Sequence, residues 1–184
     1  MKEFWNKRFK EKEFVYGIEP NVFFKSEIDK IKNKGKALFP LEGEGRNACY
    51  AAHLGWEVHA FDFSESGKQK ALDLCDANNI SIRYEVTKVE DYKVKKDTYD
   101  LIVLVFAHLD PENKILFHKK TIDSLKPGGK LIFKAFHPNN LRIIIPLRAK
   151  NKELLYTLIQ LKDDFKALSK CDGSELEINL AEGD

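Results

Sequence analysis

Long apolar runs are missing from this chain of 184 residues, and no segment approaches the ~20 apolar residues that a membrane-spanning helix needs. The start of the chain, residues 1–12, is charged and aromatic, which does not match the basic and then apolar pattern of a secretory signal. We therefore expect a cytoplasmic protein with no membrane partner.

An excess of charge of one sign is also missing. The 31 basic and 29 acidic residues are interleaved and give a formal net charge of +2. Such a surface has no concentrated positive field to attract phosphates, so nucleic acid is not expected as a partner.

Cysteine is scarce and odd in number, with Cys49, Cys75 and Cys171 far apart along the chain. The spacing lacks the close pairs of a zinc site, so we predict no metal site. Each cysteine is predicted to be a reduced thiol, and no disulfide is expected.

What the sequence does contain is an apolar content of 43%, which suits a single domain with a sizeable core. Short apolar runs alternate with longer periodic segments, and this alternation is typical of βαβ units in a mostly parallel sheet. We predict one α/β domain over residues 1–184, with an N-terminal arm (1–33), a core (36–137) and a C-terminal helix and strand (138–184).

The individual elements follow from the same patterns. Strands are predicted over residues 37–41, 57–62, 80–86, 101–107 and 131–136, the third at an edge and the fourth in the middle of the sheet. Helices are predicted from Arg46 to His53 with Gly55 as a C-terminal cap, from a Ser64 cap to about Asn78, and from an Asp110 cap to about Leu125. Residues 126–129, Lys-Pro-Gly-Gly, are expected to form a type II turn.

Near the C-terminus, apolar residues recur at steps of four and three, which predicts one apolar stripe on a helix beginning near Asn151. We expect this helix to cover the sheet; binding of a partner is the alternative. The stripe consists of Leu154, Leu158, Leu161, Phe165 and Leu168.

Two features of the sequence, a glycine loop and an acid, together indicate a binding site. Gly43 and Gly45 follow the first strand and offer backbone without side chains, and Asp62 ends the second strand about 20 residues later. In open α/β sheets a nucleoside binds at this edge, with the acid accepting hydrogen bonds from the ribose hydroxyls. Taken alone, an aspartate at a strand end is more often a turn or cap residue, and glycines in loops are common.

The surrounding residues sharpen this interpretation. The loop reads Gly43-Glu44-Gly45-Arg46-Asn47, and further matching segments are Trp5-Asn6, residues 16–21 (YGIEPN), 61–64 (FDFS), 99–102 (YDLI), 107–109 (AHL) and 125–129 (LKPGG). Through these motifs the chain resembles the class I S-adenosylmethionine-dependent methyltransferases, and within them the tellurite-resistance and thiol methyltransferase-like group. The resemblance implies a Rossmann-like, doubly wound sheet with S-adenosylmethionine as cofactor and S-adenosylhomocysteine as product.

The resemblance also implies site residues. The glycine loop would lie along the methionine part of the cofactor, Asp62 would hold the ribose, Phe63 would pack on the adenine, and Trp5, Tyr16 and Phe24 would form a lid. The residues implied to contact the cofactor are Trp5, Tyr16, Glu42, Gly43, Glu44, Gly45, Arg46, Asn47, Asp62, Phe63, Thr87, Lys88, Val89, Phe106 and Ala107. For the aromatic residues the alternative is simple packing in the core.

Methyl transfer is a displacement that alignment and exclusion of water can accelerate without an acid or a base, so no triad is expected. His108, just after the fourth strand, is the candidate to position or deprotonate an acceptor, because imidazole titrates near neutral pH. A hydrogen-bonded loop residue is the alternative, and His137 is a second candidate.

The chain departs from the family pattern at several positions. Phe39 replaces the usual acid of the first strand, Leu41 replaces the first loop glycine, and Thr87 replaces the acid that commonly reads the adenine amino group. The family also adds a strand after the segment resembling residues 174–182. We therefore expect a shortened C-terminal end with an open sheet edge, and a possible homodimer through the C-terminal strand.

Three functions compete. The first is methyl transfer to a small-molecule acceptor that is a soft nucleophile, such as a thiol or a chalcogen oxyanion. The second is a cofactor-binding or regulatory module that has lost turnover, which Phe39, Leu41 and Thr87 would explain. A nicotinamide-dependent dehydrogenase is disfavoured, because the loop lacks the three-glycine spacing.

Overall fold

A computed structural model describes residues 2–109, 111–139 and 152–177. Its centre is a five-stranded, fully parallel sheet with the order β3-β2-β1-β4-β5. The strands are β1 (Lys36–Pro40), β2 (Glu57–Asp62), β3 (Arg83–Val86), β4 (Tyr99–Val105) and β5 (Leu125–Lys134). The predicted α/β fold with a Rossmann-like, doubly wound parallel sheet is confirmed.

Helices connect the strands. The arm contributes α1 (Lys2–Phe9) and α2 (Val22–Ile28), and the crossovers contribute α3 (Arg46–His53), α4 (Glu65–Ala77) and α5 (Pro111–Ser124). A 3₁₀ turn (Lys152–Leu154) and α6 (Leu158–Asp164) follow the sheet. Among the described residues, no helix combines the length and apolar composition needed to cross a bilayer.

Local signals placed several elements correctly. The Ser64 side chain caps α4 by accepting the N–H of Gly67 at 3.1 Å. Gly55 follows α3 with φ of 92°, the left-handed conformation of a helix C-terminal glycine. Asp110, the predicted cap of α5, lies outside the described residues.

The sheet order corrects one prediction. We expected β4 to be the middle strand, but β1 holds that position, between β2 and β4. Both strands are almost wholly buried, because both are interior strands with helices on either side. β3 lies at an edge as predicted, and in the described sheet β5 forms the other edge.

Strand limits also differ from the prediction. β3 begins at Arg83 rather than at residue 80, because the N–H of Ile80 donates to the Cys75 carbonyl at the end of α4. β5 begins at Leu125, and residues 126–129 bulge out between its pairings with Tyr99 and Leu101. Gly128 in this bulge has φ of 79°, as the predicted type II turn requires.

The C-terminal helix is shorter than predicted. Tyr156 lies outside the helix and its N–H donates to the carbonyl of Phe136 at 3.0 Å, and the helix starts only after the Thr157 cap. Leu154 and Phe165 of the stripe are buried, and Leu158, Leu161 and Leu168 are half-buried. Residues 174–177 are not in a strand, and residues 178–184 lie outside the described residues.

The cysteine prediction is wrong for two of the three residues. Cys49 on α3 and Cys75 on α4 form a disulfide across a sequence separation of 26, with a Cα–Cα distance of 5.5 Å. The two helices pack against each other on one face of the sheet, which brings distant cysteines within bonding range. Cys171 is a free, exposed thiol.

Candidate functional site

The glycine loop follows β1, and three of its residues have a backbone conformation in the left-handed region. Leu41, Gly43 and Gly45 have φ of 53°, 63° and 84°. A Cβ at Gly45 would lie 2.4 Å from the Cβ of Ala71 on α4, so a side chain cannot be accommodated there. Leu41 adopts the conformation that a glycine favours, although it carries a side chain that packs against the core.

Asp62 lies opposite this loop, at the carboxyl end of β2. Its carboxylate accepts the N–H of Gly43 at 3.3 Å and the N–H of Ser64 at 2.9 Å, and the residue is only 4% exposed. The sequence therefore predicted correctly that loop and acid come together. Asp62 is the acid that the sequence predicted to hold a ribose, and its contact with a ribose stays a prediction.

Glu42 directs its carboxylate to the first turn of α3. Its Oε1 accepts the N–H of Asn47 at 2.9 Å and the N–H of Ala48 at 2.8 Å. Burial raises the pKa of this carboxyl to about 7. The two N–H groups and the positive charge of Arg46 act in the opposite direction and lower the pKa, but burial has the larger effect. Glu42 thus occupies the helix N-terminus, where an anionic part of a ligand would otherwise bind.

The next three polar side chains of the loop hold the arm. Glu44 accepts the N–H of Val15 at 2.8 Å and the ammonium of Lys70 at 2.7 Å. The guanidinium of Arg46 donates to the carbonyl of Tyr16 at 2.8 Å, and the side-chain oxygen of Asn47 accepts the N–H of Asn21 at 2.9 Å. The structure therefore shows that these three residues attach the arm to the loop. Their predicted contact with a cofactor stays a prediction.

Aromatic residues of the arm cover the loop. The ring centroid of Trp5 lies 5.1 Å from that of Phe9 and 6.3 Å from that of Tyr16. Phe9, which the sequence analysis did not nominate, has its Cζ 3.1 Å from where a Cβ of Gly43 would be. Its spacing of four from Trp5, which places both on one helix face, was the available signal.

Phe24 does not belong to this lid. It is fully buried and its ring packs edge-to-face on Phe39 at 5.8 Å between centroids. Phe39 stands where the family has an acid, and the arm supplies an apolar partner for it. The pair is part of the hydrophobic core.

The residues predicted around the adenine gather at the ends of β2 and β3. The N–H of Thr87 donates to the carbonyl of Asp62 at 2.9 Å, which places both strand ends side by side. Phe63 is half-buried, Val89 is buried and Lys88 is exposed. Val89 belongs to the same hydrophobic core cluster as Phe61. Phe63 is the partly exposed apolar side chain that follows Asp62 in sequence, and its packing on an adenine stays a prediction.

The remaining predicted site residues, Phe106, Ala107 and His108, lie at the end of β4. Phe106 has φ of 52° and its ring stacks on Phe136 at 4.4 Å, and Ala107 is buried. His108 is buried, with Nδ1 3.2 Å from the carbonyl of Leu154. A carbonyl only accepts hydrogen bonds, so the proton of this contact belongs to Nδ1. His137 lies 3.4 Å from Glu175 and is not brought to His108 by any described contact.

A cavity of about 410 Å³ lies between the arm and α4 rather than over the strand ends. Phe9 and Lys70, which contact the loop residues Gly43 and Glu44, belong to its wall, whereas Asp62 does not. The nucleoside site predicted at Asp62 and the loop therefore does not coincide with this cavity.

Comparison with known sequences points to one class of domain. The sequence model of the family described as methyltransferase domain matches residues 42–129, from Glu42 of the loop to the end of the bulge in β5. None of the curated protein sequences matches the chain significantly.

Solved structures share the fold. A protein from work on converting a disulfide bond into a thioacetal group in echinomycin biosynthesis has a TM-score of 0.71 at 17% identity, over 90% of this chain and 77% of that one. TehB from Haemophilus influenzae has a TM-score of 0.66 at 20% identity, over 90% and 54%. Phosphoethanolamine N-methyltransferase 2 from Haemonchus contortus, solved with S-adenosyl-L-methionine, has a TM-score of 0.62 at 19% identity, over 89% and 40%. At these identities the likeness establishes the fold, and this chain spans about half the length of TehB.

Proposed function

We propose that this S-adenosylmethionine-dependent methyltransferase transfers the methyl group to a small soft nucleophile, a thiol or a chalcogen oxyanion. The observation that carries the proposal is the arrangement at the end of β4, where His108 lies beside the stacked rings of Phe106 and Phe136. The hydrogen bond from Nδ1 to the carbonyl of Leu154 fixes the orientation of the ring. S-adenosylmethionine is the cofactor, and it supplies an electrophilic methyl group with a neutral thioether as the leaving group.

The chain's own residues have separate tasks in this proposal. Asp62 accepts the ribose hydroxyls, and the Trp5, Phe9 and Tyr16 rings exclude water from the loop side. His108 takes the proton from a thiol, whose ordinary pKa of about 8.5 leaves it mostly protonated at neutral pH. Because a thiolate is a strong nucleophile, alignment and dehydration provide the rest of the acceleration.

Membership of the tellurite-resistance and thiol methyltransferase group is part of the same proposal. Its support is the Gly-Glu-Gly-Arg-Asn loop together with a fold shared with TehB. A module without turnover is not favoured by the comparisons. The acceptor is proposed to be a small molecule, with no nucleic acid and no membrane surface involved.

The test has two stages. Calorimetric titration with S-adenosylhomocysteine measures cofactor-product binding, and mass spectrometry then follows S-adenosylhomocysteine formation from S-adenosylmethionine with thiols, selenite, tellurite, amines and catechols. We expect binding and turnover with a sulfur, selenium or tellurium acceptor. Turnover confined to amines or catechols would contradict the acceptor class, and lack of binding would contradict the activity itself.

A homodimer is a further proposal from the sheet. In the described structure β5 pairs on one side only, with β4, and an unpaired strand edge can add a strand from a second chain. Light scattering at micromolar concentration tests this. A monomeric mass would contradict it.

A further inference from the structure

Lys114 is a buried lysine on α5, and its ammonium contacts the chain that follows the sheet. Its Nζ donates to the carbonyl of Glu153 at 2.7 Å and to the carbonyl of Leu155 at 3.4 Å, and it lies 4.0 Å from the centroid of the Tyr156 ring. These three neighbours all belong to residues 153–156. One ammonium with three donor positions therefore holds this short stretch against α5.

The carbonyl between the two that Lys114 binds is the one that contacts His108. It belongs to Leu154, and its oxygen lies 3.2 Å from Nδ1 of His108. Three consecutive carbonyl groups are thus divided between two side chains, with the first and third bound to Lys114 and the second to His108. Because only two soft dihedrals per residue separate successive peptide groups, holding the outer two limits the directions open to the middle one.

Residues 153–156 also contact the residue on which the His108 ring stacks. The N–H of Tyr156 donates to the carbonyl of Phe136 at 3.0 Å, and the Phe136 ring lies parallel to that of His108, with centroids 5.8 Å apart and an interplanar angle of 9°. The side chains of Leu154, Leu155 and Tyr156 are buried. The position of the His108 ring therefore depends on this stretch at its edge and, through Phe136, at its face.

A second contact joins α5 to the C-terminal part of the chain and allows a comparison. Nδ1 of His118, one helical turn after Lys114, lies 2.8 Å from Oδ2 of Asp164 at the end of α6. The buried His118 ring packs among aromatic rings that include Phe133 and Phe165. In the described structure this second contact fixes α6, and the contact of Lys114 fixes the carbonyl groups beside Leu154.

We propose that Lys114 is a positioning residue for methyl transfer, which holds the Leu154 carbonyl in place and thereby orients the His108 ring at the end of β4. The inference rests on the proposed function, in which His108 takes the proton from the acceptor. Lys114 acts through Leu154 and does not contact the acceptor. The orientation of the ring can be measured without turnover, so the two proposals can be tested separately.

Removal of the ammonium should release the Leu154 carbonyl. The carbonyls of Glu153 and Leu155 would lose their donor, and a buried carbonyl without a partner is unfavourable, so the stretch would shift until other donors or water reach it. The Nδ1 proton of His108 would then lose its acceptor. Because the position of the proton on an imidazole is set by the hydrogen bonds of the ring, Nδ1 should lose part of its proton occupancy.

The experiment observes the His108 ring by nitrogen NMR. Protein labelled at the histidine nitrogens and saturated with S-adenosylhomocysteine is measured at about pH 8.5, above the ordinary imidazole pKa of about 6.5, and His108→Gln identifies the signal. In the wild-type protein we expect Nδ1 to resonate as a protonated ring nitrogen. In Lys114→Met the signal should move toward that of an unprotonated nitrogen. With a thiol acceptor, kcat should fall about tenfold while KM for S-adenosylmethionine stays unchanged.

Two matched controls separate this effect from a general loss of stability. His118→Phe removes the other contact between α5 and the C-terminal part but keeps an aromatic ring in its place, and Lys119→Met removes an exposed lysine of the same helix. Both should keep the wild-type His108 signal. Lys114→Gln, which has an amide donor but no charge, should move the signal in the same direction and replaces Lys114→Met if that variant does not fold.

An unchanged His108 signal in the folded Lys114 variant would overturn the inference, and so would an equal change in His118→Phe. Either result would leave the proposed activity intact, because that activity is tested by S-adenosylhomocysteine binding and by turnover of a sulfur, selenium or tellurium acceptor. A changed signal in a protein that turns over none of these acceptors would support the positioning of His108 by Lys114 and contradict the proposed function.

Discussion

The carboxylate of Asp62 accepts a hydrogen bond from the backbone N–H of Gly43 across 3.3 Å, and this contact joins the second strand to the glycine loop. Because the loop and Asp62 are both predicted to contact the cofactor, replacing Asp62 should weaken cofactor binding. We expect Asp62→Asn to weaken S-adenosylhomocysteine binding by about tenfold and Asp62→Ala by about a hundredfold, because a hydrogen bond to a charged group contributes about 1.5–3 kcal/mol. Calorimetry measures both, with Asp76→Asn on the exposed end of α4 as the control. Wild-type affinity in Asp62→Ala would refute this role.

The left-handed backbone at Leu41, with φ of 53°, predicts an inverted order of stability for small substitutions. At most positions alanine is more stable than glycine, but here alanine keeps the strain and glycine removes it. Leu41→Gly should exceed Leu41→Ala in free energy of unfolding by about 1 kcal/mol. Denaturant titrations measure this difference. The same pair of changes at Leu54, where φ is −76°, should give the ordinary order.

His108 is predicted to be needed for chemistry rather than for cofactor affinity. His108→Gln should lower kcat for a thiol acceptor by about a hundredfold at pH 7. Above pH 8.5 the deficit should shrink, because the thiol then ionises without help. S-adenosylhomocysteine affinity should not change, and His53→Gln, at the exposed end of α3, is the control. A deficit that is independent of pH would indicate a merely structural role.

The bond between Cys49 and Cys75 predicts that stability depends on redox conditions. It closes a loop with a sequence separation of 26, and a cross-link of this size stabilises the folded state by about 3 kcal/mol. Reduction, or the change Cys49→Ala with Cys75→Ala, should lower the free energy of unfolding by that amount, while Cys171→Ser should not. Thiol titration of the unfolded, unreduced protein should find one thiol; three would contradict the disulfide.

Glu42 predicts a pH dependence of stability. Its pKa is raised by burial from an ordinary 4.5 to about 7, so between these values the folded state holds a proton that the unfolded state has lost. The free energy of unfolding should therefore fall as pH rises through this window and level off above pH 7. For Glu42→Gln the fall should be smaller by up to about 3 kcal/mol. Urea titrations from pH 4.5 to 8 measure it, with Glu112→Gln on the exposed face of α5 as the control.

Sequence patterns were sufficient for the parts of the molecule that depend on neighbouring residues. The glycines after β1, the acid ending β2 and the Ser64 cap each act within a few positions, and the structure brings Gly43 and Asp62 together as predicted. Patterns could not rank β1 and β4, because two interior parallel strands are equally apolar.

Other features depend on tertiary contacts that no local pattern states. Cys49 and Cys75 meet only because α3 packs on α4. Phe24, which was predicted to belong to the lid, packs in the core because of the position of α2, whereas α1 places Phe9, which was not nominated, on the loop.

The loop residues Glu44, Arg46 and Asn47 grip the arm through its peptide groups, at Val15, Tyr16 and Asn21. Peptide groups are the same in nearly every residue, so the hydrogen bonds to Val15 and Tyr16 do not depend on the side chains at these two positions. Both side chains can therefore change while the arm stays bound to the loop.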